Sequence, residues 1–130
     1  MKKLILLSIL LLSVCFPCDE EIEVELWGEC YNIEETTELD LSGEGLDSSG
    51  ELIFGELSGL IPTDIGQLIN LTYLDLSFNQ LTGVIPEEIC VSGIVNVWVY
   101  IDVGYNQLCQ PYPSCISQSD IDSQDTSNCP

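Results

Sequence analysis

The chain has 130 residues, 22 of them Asp or Glu, and its only basic residues are Lys2 and Lys3, with no His. Beyond those two lysines it carries a charge of about −22. That sign repels phosphate backbones and anionic lipid, which excludes nucleic acid as a partner and disfavours acidic membranes. Without His, and without Lys or Arg past residue 3, Ser-His-Asp and Cys-His nucleophile systems, lysine bases and arginine clamps are also excluded.

From the N-terminus, Met1-Lys2-Lys3 followed by the apolar run 4–16 has the basic start and hydrophobic core of a secretion signal, and residues 1–17 are read as one. The run is 13 residues long, short of the ~20 a membrane-spanning helix needs, and no later segment replaces it. Localisation is expected to be secreted or cell-surface, with no transmembrane segment.

Seven cysteines follow the same logic. Cys15 ends the apolar run, and cleavage near it leaves Cys18, Cys30, Cys90, Cys109, Cys115 and Cys129, an even set suited to disulfides in an oxidising compartment. Leu12-Ser13-Val14-Cys15 loosely resembles a bacterial lipoprotein box, though with Val14 where a small residue is usual, so lipid attachment at Cys15 is kept as an alternative. With no His and no paired C-x-x-C spacing, a zinc site is not expected.

The middle of the chain is repetitive. Leu71, Leu74, Leu76, Asn79 and Leu81 fit L-x-x-L-x-L-x-x-N-x-L, and Gly83, Ile85 and Pro86 extend it to L-x-G-x-I-P. Residues 57–62 repeat 81–86, with Pro62 and Pro86 separated by 24 residues. Upstream, 36–42 aligns with 71–77 at a spacing of 35, which is 11 too many, and the excess is placed near 47–56 as a turn followed by an extra strand or edge cover. Downstream, 98–108 aligns with 71–81 at 27. The pattern resembles the plant-type subclass of the leucine-rich-repeat family. The resemblance implies an α/β-type solenoid: a right-handed coil of about three turns, with a short parallel β-sheet on its concave face and disulfide caps. Repeats would span 36–108, flanked by an N-terminal cap at 18–35 and a C-terminal cap with a loose tail at 109–130. Asn79 and Asn106 are expected to serve the turning backbone, since an amide both donates and accepts. Glu44 stands at the equivalent place in the first coil, where a less regular turn is expected.

Trp27-Gly28-Glu29-Cys30 is similar to the W-x-G-V-x-C segment of the family's N-terminal cap, lacking the Val. The resemblance implies a disulfide from Cys30 to an earlier cysteine, for which Cys18 is the candidate, and makes Trp27 a cap-packing residue. The four later cysteines allow three connectivities.

The same resemblance places ligand contacts on the concave face, where the register aligns Thr37, Thr72 and Val99; Glu38, Tyr73 and Tyr100; Asp40, Asp75 and Asp102; and Gly43, Phe78 and Tyr105. Tyrosines offer large contact area with a polar tip at low entropic cost. The expected function is an extracellular, non-catalytic module that recognises a protein, peptide or glycan, with a basic partner suited to its charge; the alternative is an acidic, calcium-responsive structural or adhesive surface protein. No cofactor is expected. Asp125-Thr126-Ser127 is faintly similar to the active turn of aspartic proteases, but no second copy exists to pair with it. The aspartate row, with strand neighbours ~4.8 Å apart, is expected to raise the pKa of at least its middle member, Asp75, and to bind calcium only weakly. Asn70-Leu71-Thr72 is an N-glycosylation sequon wherever the producing cell is eukaryotic.

Overall fold

The computed structural model describes residues 17–90 and 100–130. The signal segment, apart from Pro17, and Cys15, Trp98 and Val99 lie outside the described residues.

Chain direction is set first by a hairpin, β1 (Glu23–Leu26) and β2 (Glu29–Asn32), paired antiparallel around Trp27-Gly28. Both turn residues have left-handed backbones, φ 49° and 86°, as a two-residue hairpin turn requires. Val24 and Leu26 point into the core and Trp27 packs against it, so the hairpin covers one end of the apolar stack. The Cys18–Cys30 disulfide ties the incoming chain to it.

Three short strands then pair in parallel: β3 (Glu38–Asp40), β7 (Tyr73–Asp75) and β9 (Tyr100–Asp102), with β7 in the middle. Their centres, Leu39, Leu74 and Ile101, sit in one row, and Leu76, Leu81, Val103 and Leu108 fill the space behind, most of them with no solvent exposure at all. The insertion near 47–56 is itself a hairpin. β4 (Gly45–Leu46) pairs antiparallel with β5 (Leu52–Ile53), and Asp47 closes its turn by accepting from Ser49 and Glu51. Its exit passes so close to the second repeat that a Cβ on Gly43 would overlap the Phe78 carbonyl oxygen and the Gly55 nitrogen.

Three features depart from the sequence reading. A second parallel sheet, β6 (Ser58–Gly59), β8 (Gln80–Val84) and β10 (Gln107–Cys109), runs where each repeat leaves its turn. Two 3-10 turns, Thr63–Gln67 and Glu87–Cys90, stand where an α/β-type solenoid implies α-helices, and each buries one isoleucine, Ile65 or Ile89. The C-terminal segment is a fitted cover, not a loose tail. Its helix α1 (Gln118–Asp122) is capped by Ser117, whose hydroxyl accepts from the Asp120 N–H at 3.2 Å, and the Cys90–Cys115 and Cys109–Cys129 disulfides fasten both sides of it.

The repeats are joined by buried amides. Asn79 Nδ2 donates to the carbonyls of Leu41, Leu76 and Ser77 at 2.7, 3.2 and 3.1 Å, while its Oδ1 accepts from Leu57 N at 3.3 Å. Asn106 repeats this one step on, donating to Leu76, Val103 and Gly104 and accepting from Leu81 N at 3.0 Å. Gln124 makes the next rung from the cap: its Nε2 donates to Val103 O and Asp120 O, and its Oε1 accepts from Leu108 N at 3.0 Å.

Three outcomes follow for stability. Leu74→Ala should cost ~2–5 kcal/mol in urea unfolding, and Asn106→Ala about 3 kcal/mol through orphaned carbonyls and the Leu81 N–H; a loss under about 0.5 kcal/mol for either would contradict the packing described. Mass spectrometry of unreduced protein should find Cys18, Cys30, Cys90, Cys109, Cys115 and Cys129 all oxidised, and replacing the Cys90–Cys115 pair by serines should cost ~2–4 kcal/mol.

Candidate ligand-binding face

The outward side chains of the β3-β7-β9 sheet form the columns its register dictates: Glu38 beside Tyr73 beside Tyr100, and Asp40 beside Asp75 beside Asp102. Tyr73 and Tyr100 stack with ring centroids 4.9 Å apart and planes 10° from parallel. Each phenol leans toward the aspartate two residues on: Tyr73 donates to Asp75 Oδ2 at 3.3 Å, and Tyr100 to Asp102 Oδ2 at 3.2 Å. Tyr100 keeps half its surface in solvent. The face is thus a fixed aromatic plate with a carboxylate row along one side.

Phe78 and Tyr105 do not belong to that plate. They sit beyond the strand ends, in the turns, with left-handed backbones at φ 55° and 54°, and make a second stack of their own at 4.4 Å. A bulky side chain in that backbone region is uncommon, because Cβ crowds the carbonyl.

The aspartates do more local work than a bare charge row. Asp75 Oδ1 accepts from Ser77 N at 2.9 Å and from Ser77 Oγ at 2.6 Å, and Asp40 does the same with Ser42 at 3.1 and 2.6 Å. Asp102 accepts from Gly104 N at 2.9 Å. These bonds end each strand in an Asp-x-Ser or Asp-x-Gly turn. At Asp40 the Ser42 hydroxyl and N–H favour the ionised form and hold it below the ordinary carboxylate range. The negative field acts on the tyrosines. The Asp102 charge, with desolvation and the hydrogen bond, pushes Tyr100 up to about 12. Partial burial and Asp75 raise Tyr73 as well.

Sequence reasoning missed one carboxylate. Asp120, buried on α1, receives the Val103 N–H at 3.3 Å, and its burial raises its pKa despite the Ser117 and Val103 hydrogen bonds, with Asp102 and Asp75 adding to the rise. The signal was the Ser117-x-x-Asp120 capping spacing, hidden in a segment whose Pro, Ser and Asp content looked like tail. No cation cage is formed by the row. Among the described residues the one set of three ligand-type side chains gathered within 4.8 Å is Cys18, Glu23 and Cys30, and its cysteines are spent in a disulfide.

The model of the Leucine Rich Repeat family matches residues 70–91, the segment that contributes β7, β8 and the second 3-10 turn. The matched segment carries a leucine-rich repeat. Among solved structures, this chain is similar to a plant peptide hormone receptor, RGFR1 in complex with RGF2, with 31% sequence identity and a TM-score of 0.40 over 58% of this chain and 14% of that one. A comparison with curated proteins finds no match.

Replacing Asp75 tests its role as a turn-former. Asp75→Asn keeps an acceptor for Ser77 and should lose about 1 kcal/mol, whereas Asp75→Ala strands the buried Ser77 and should lose about 2–3 kcal/mol. Tyr100 should also leave a pH signature. Its pKa is raised on folding, so its contribution to stability is complete below pH 10 and is lost as pH climbs toward about 12. Tyrosinate absorbance should show a late-titrating tyrosine that Asp102→Asn shifts back toward the usual value.

Proposed function

We propose that this chain is an extracellular, non-catalytic binding module that takes a protein or peptide partner on the Tyr73–Tyr100 face. The observation that carries the reading is the plate itself: two stacked tyrosines, locked by the strand register and by hydrogen bonds to Asp75 and Asp102, presented to solvent at no further ordering cost. The flanking carboxylates suit a partner with Arg or Lys, whose cation can lie over a ring face while pairing with an aspartate. Export belongs to the same reading. The basic start and apolar run of residues 1–17 serve as a cleaved secretion signal, and three disulfides suit an oxidising compartment. No helix among the described residues is long and apolar enough to cross a membrane.

The calcium-responsive alternative has less behind it, since each Asp Oδ1 in the row already accepts a backbone N–H. The deciding experiment immobilises the oxidised protein, captures partners from native secretions and repeats the capture with Tyr73→Ala and Tyr100→Ala. Either substitution should weaken retention about tenfold and lower the melting temperature by no more than about 10 °C, leaving the protein folded. Equal retention by both variants would remove the plate as the binding surface. A melting temperature that rises by several degrees in millimolar calcium, and no longer rises in Asp75→Asn, would favour the calcium reading instead.

A further inference from the structure

The insertion hairpin leaves apolar side chains in solvent that the repeat core does not need: Leu46, Leu52 and Phe54 are 64%, 42% and 43% exposed. Leu52 and Phe54 line a cleft of about 640 Å³. Gln80, Gln107, Tyr105 and Asp125 of the C-terminal cover line it as well. That volume is within the range of sites that swallow a small ligand or one large side chain. Tyr105 is backed by Phe78 in the second stack, so the aromatic side of the cleft is rigid. None of these residues is in the strands that carry the Tyr73–Tyr100 plate.

We propose that this cleft is a second binding site, which takes an aromatic or large aliphatic side chain of a peptide segment flanked by Arg or Lys. Charge complementarity identifies the occupant. Asp125 lies in the wall, and Glu51 and Glu56 bracket the hairpin's apolar strand in sequence. Ser127 N donates to Asp125 Oδ1 at 3.1 Å, which stabilises the ionised form. The described residues contain no Lys, Arg or His at all, so no side chain among them neutralises these groups and they stay free to pair with a cationic partner. A second copy of this chain would bring a like charge of about −22 against the cleft, which argues against self-association there. The apolar wall and aromatic ring take the anchor side chain, and the glutamine amides meet the peptide backbone.

The site is independent of the concave plate, and the test separates the two. The oxidised protein is titrated calorimetrically with a capped tripeptide, phenylalanine between two arginines, and with two controls in which serines or glutamates replace the arginines. The arginine peptide should bind, the serine peptide at least about tenfold more weakly, and the glutamate peptide undetectably. Phe54→Ser and Leu52→Ser, both at exposed positions, should each weaken binding by about tenfold, Asp125→Asn by about threefold, and Ile69→Ser, exposed and outside the cleft lining, not at all. Near-UV circular dichroism identifies the variants that remain folded. The proposal is overturned if the arginine peptide does not bind, if the serine peptide binds equally well, or if folded Phe54→Ser and Leu52→Ser bind like the parent. A chito-oligosaccharide that binds where the arginine peptide does not would make the cleft a glycan site and overturn it too. If Tyr100→Ala alone abolishes binding, the peptide sits on the plate and the cleft proposal falls while the concave reading stands.

Discussion

A polypeptide that winds back on itself every two dozen residues buries its turns, and a buried turn leaves backbone groups that water cannot reach. Each such group costs on the order of 1–3 kcal/mol if unpaired. Asn79, Asn106 and Gln124 meet that cost with amides that donate on one side and accept on the other. Each also reaches into the preceding unit, to Leu41, Leu76 or Val103. Satisfying the turn and fixing its neighbour are therefore the same act. The stacking distance, the strand register and the alignment of outward side chains are all consequences.

Register then meets charge. Among the described residues no Lys, Arg or His stands beside the carboxylates, and several of them are held by short local hydrogen bonds. Asp40, Asp47, Asp75 and Asp125 each accept from the serine two residues on, and Asp102 from a glycine at the same spacing. In three of these places the bond also ends a strand of the concave sheet. Aligned in one column, those three carboxylates still add their fields, and the groups that feel it are the phenols of Tyr73 and Tyr100, whose ionised forms are disfavoured.

How much of this was legible depended on whether the signal was periodic. The inward leucines and the asparagines recur at fixed offsets, so the concave strands and their pairing could be read directly. The Cys18–Cys30 bridge was implied by the family resemblance, whereas the Cys90–Cys115 and Cys109–Cys129 pairing depends on how the cover folds back, which spacing does not encode. The second sheet was missed because Ser58-Gly59 and Gln107-Leu108-Cys109 are too short and too polar to look like strands; parallel pairing to β8 creates them. The α/β-type reading implied helices between the strands, but Thr63–Gln67, entered from Pro62, winds as a 3-10 turn. Gln124 was invisible as a rung because one glutamine in a polar segment has no period. Of the candidate face, Glu38, Tyr73, Tyr100 and the three aspartates share one sheet as aligned, while Phe78 and Tyr105 continue the register past the strand ends into turns where it no longer implies a common face.

The division between inward and outward residues bears on what the exposed aromatics are for. The core is closed by leucines, isoleucines and amide rungs, and its ends by the β1-β2 hairpin and the α1 cover. A stacked, solvent-facing tyrosine pair adds about 0.5–1.5 kcal/mol beyond its buried area, small against a single core leucine at ~2–5 kcal/mol. The second stack contributes still less net, since Phe78 and Tyr105 each hold a left-handed backbone that a glycine would adopt without strain. The insertion hairpin adds exposed Leu46, Leu52 and Phe54 to a fold that is already covered. Apolar surface that stability does not require, held rigid by a scaffold that does not depend on it, is the physical profile of a surface used for contact with another molecule.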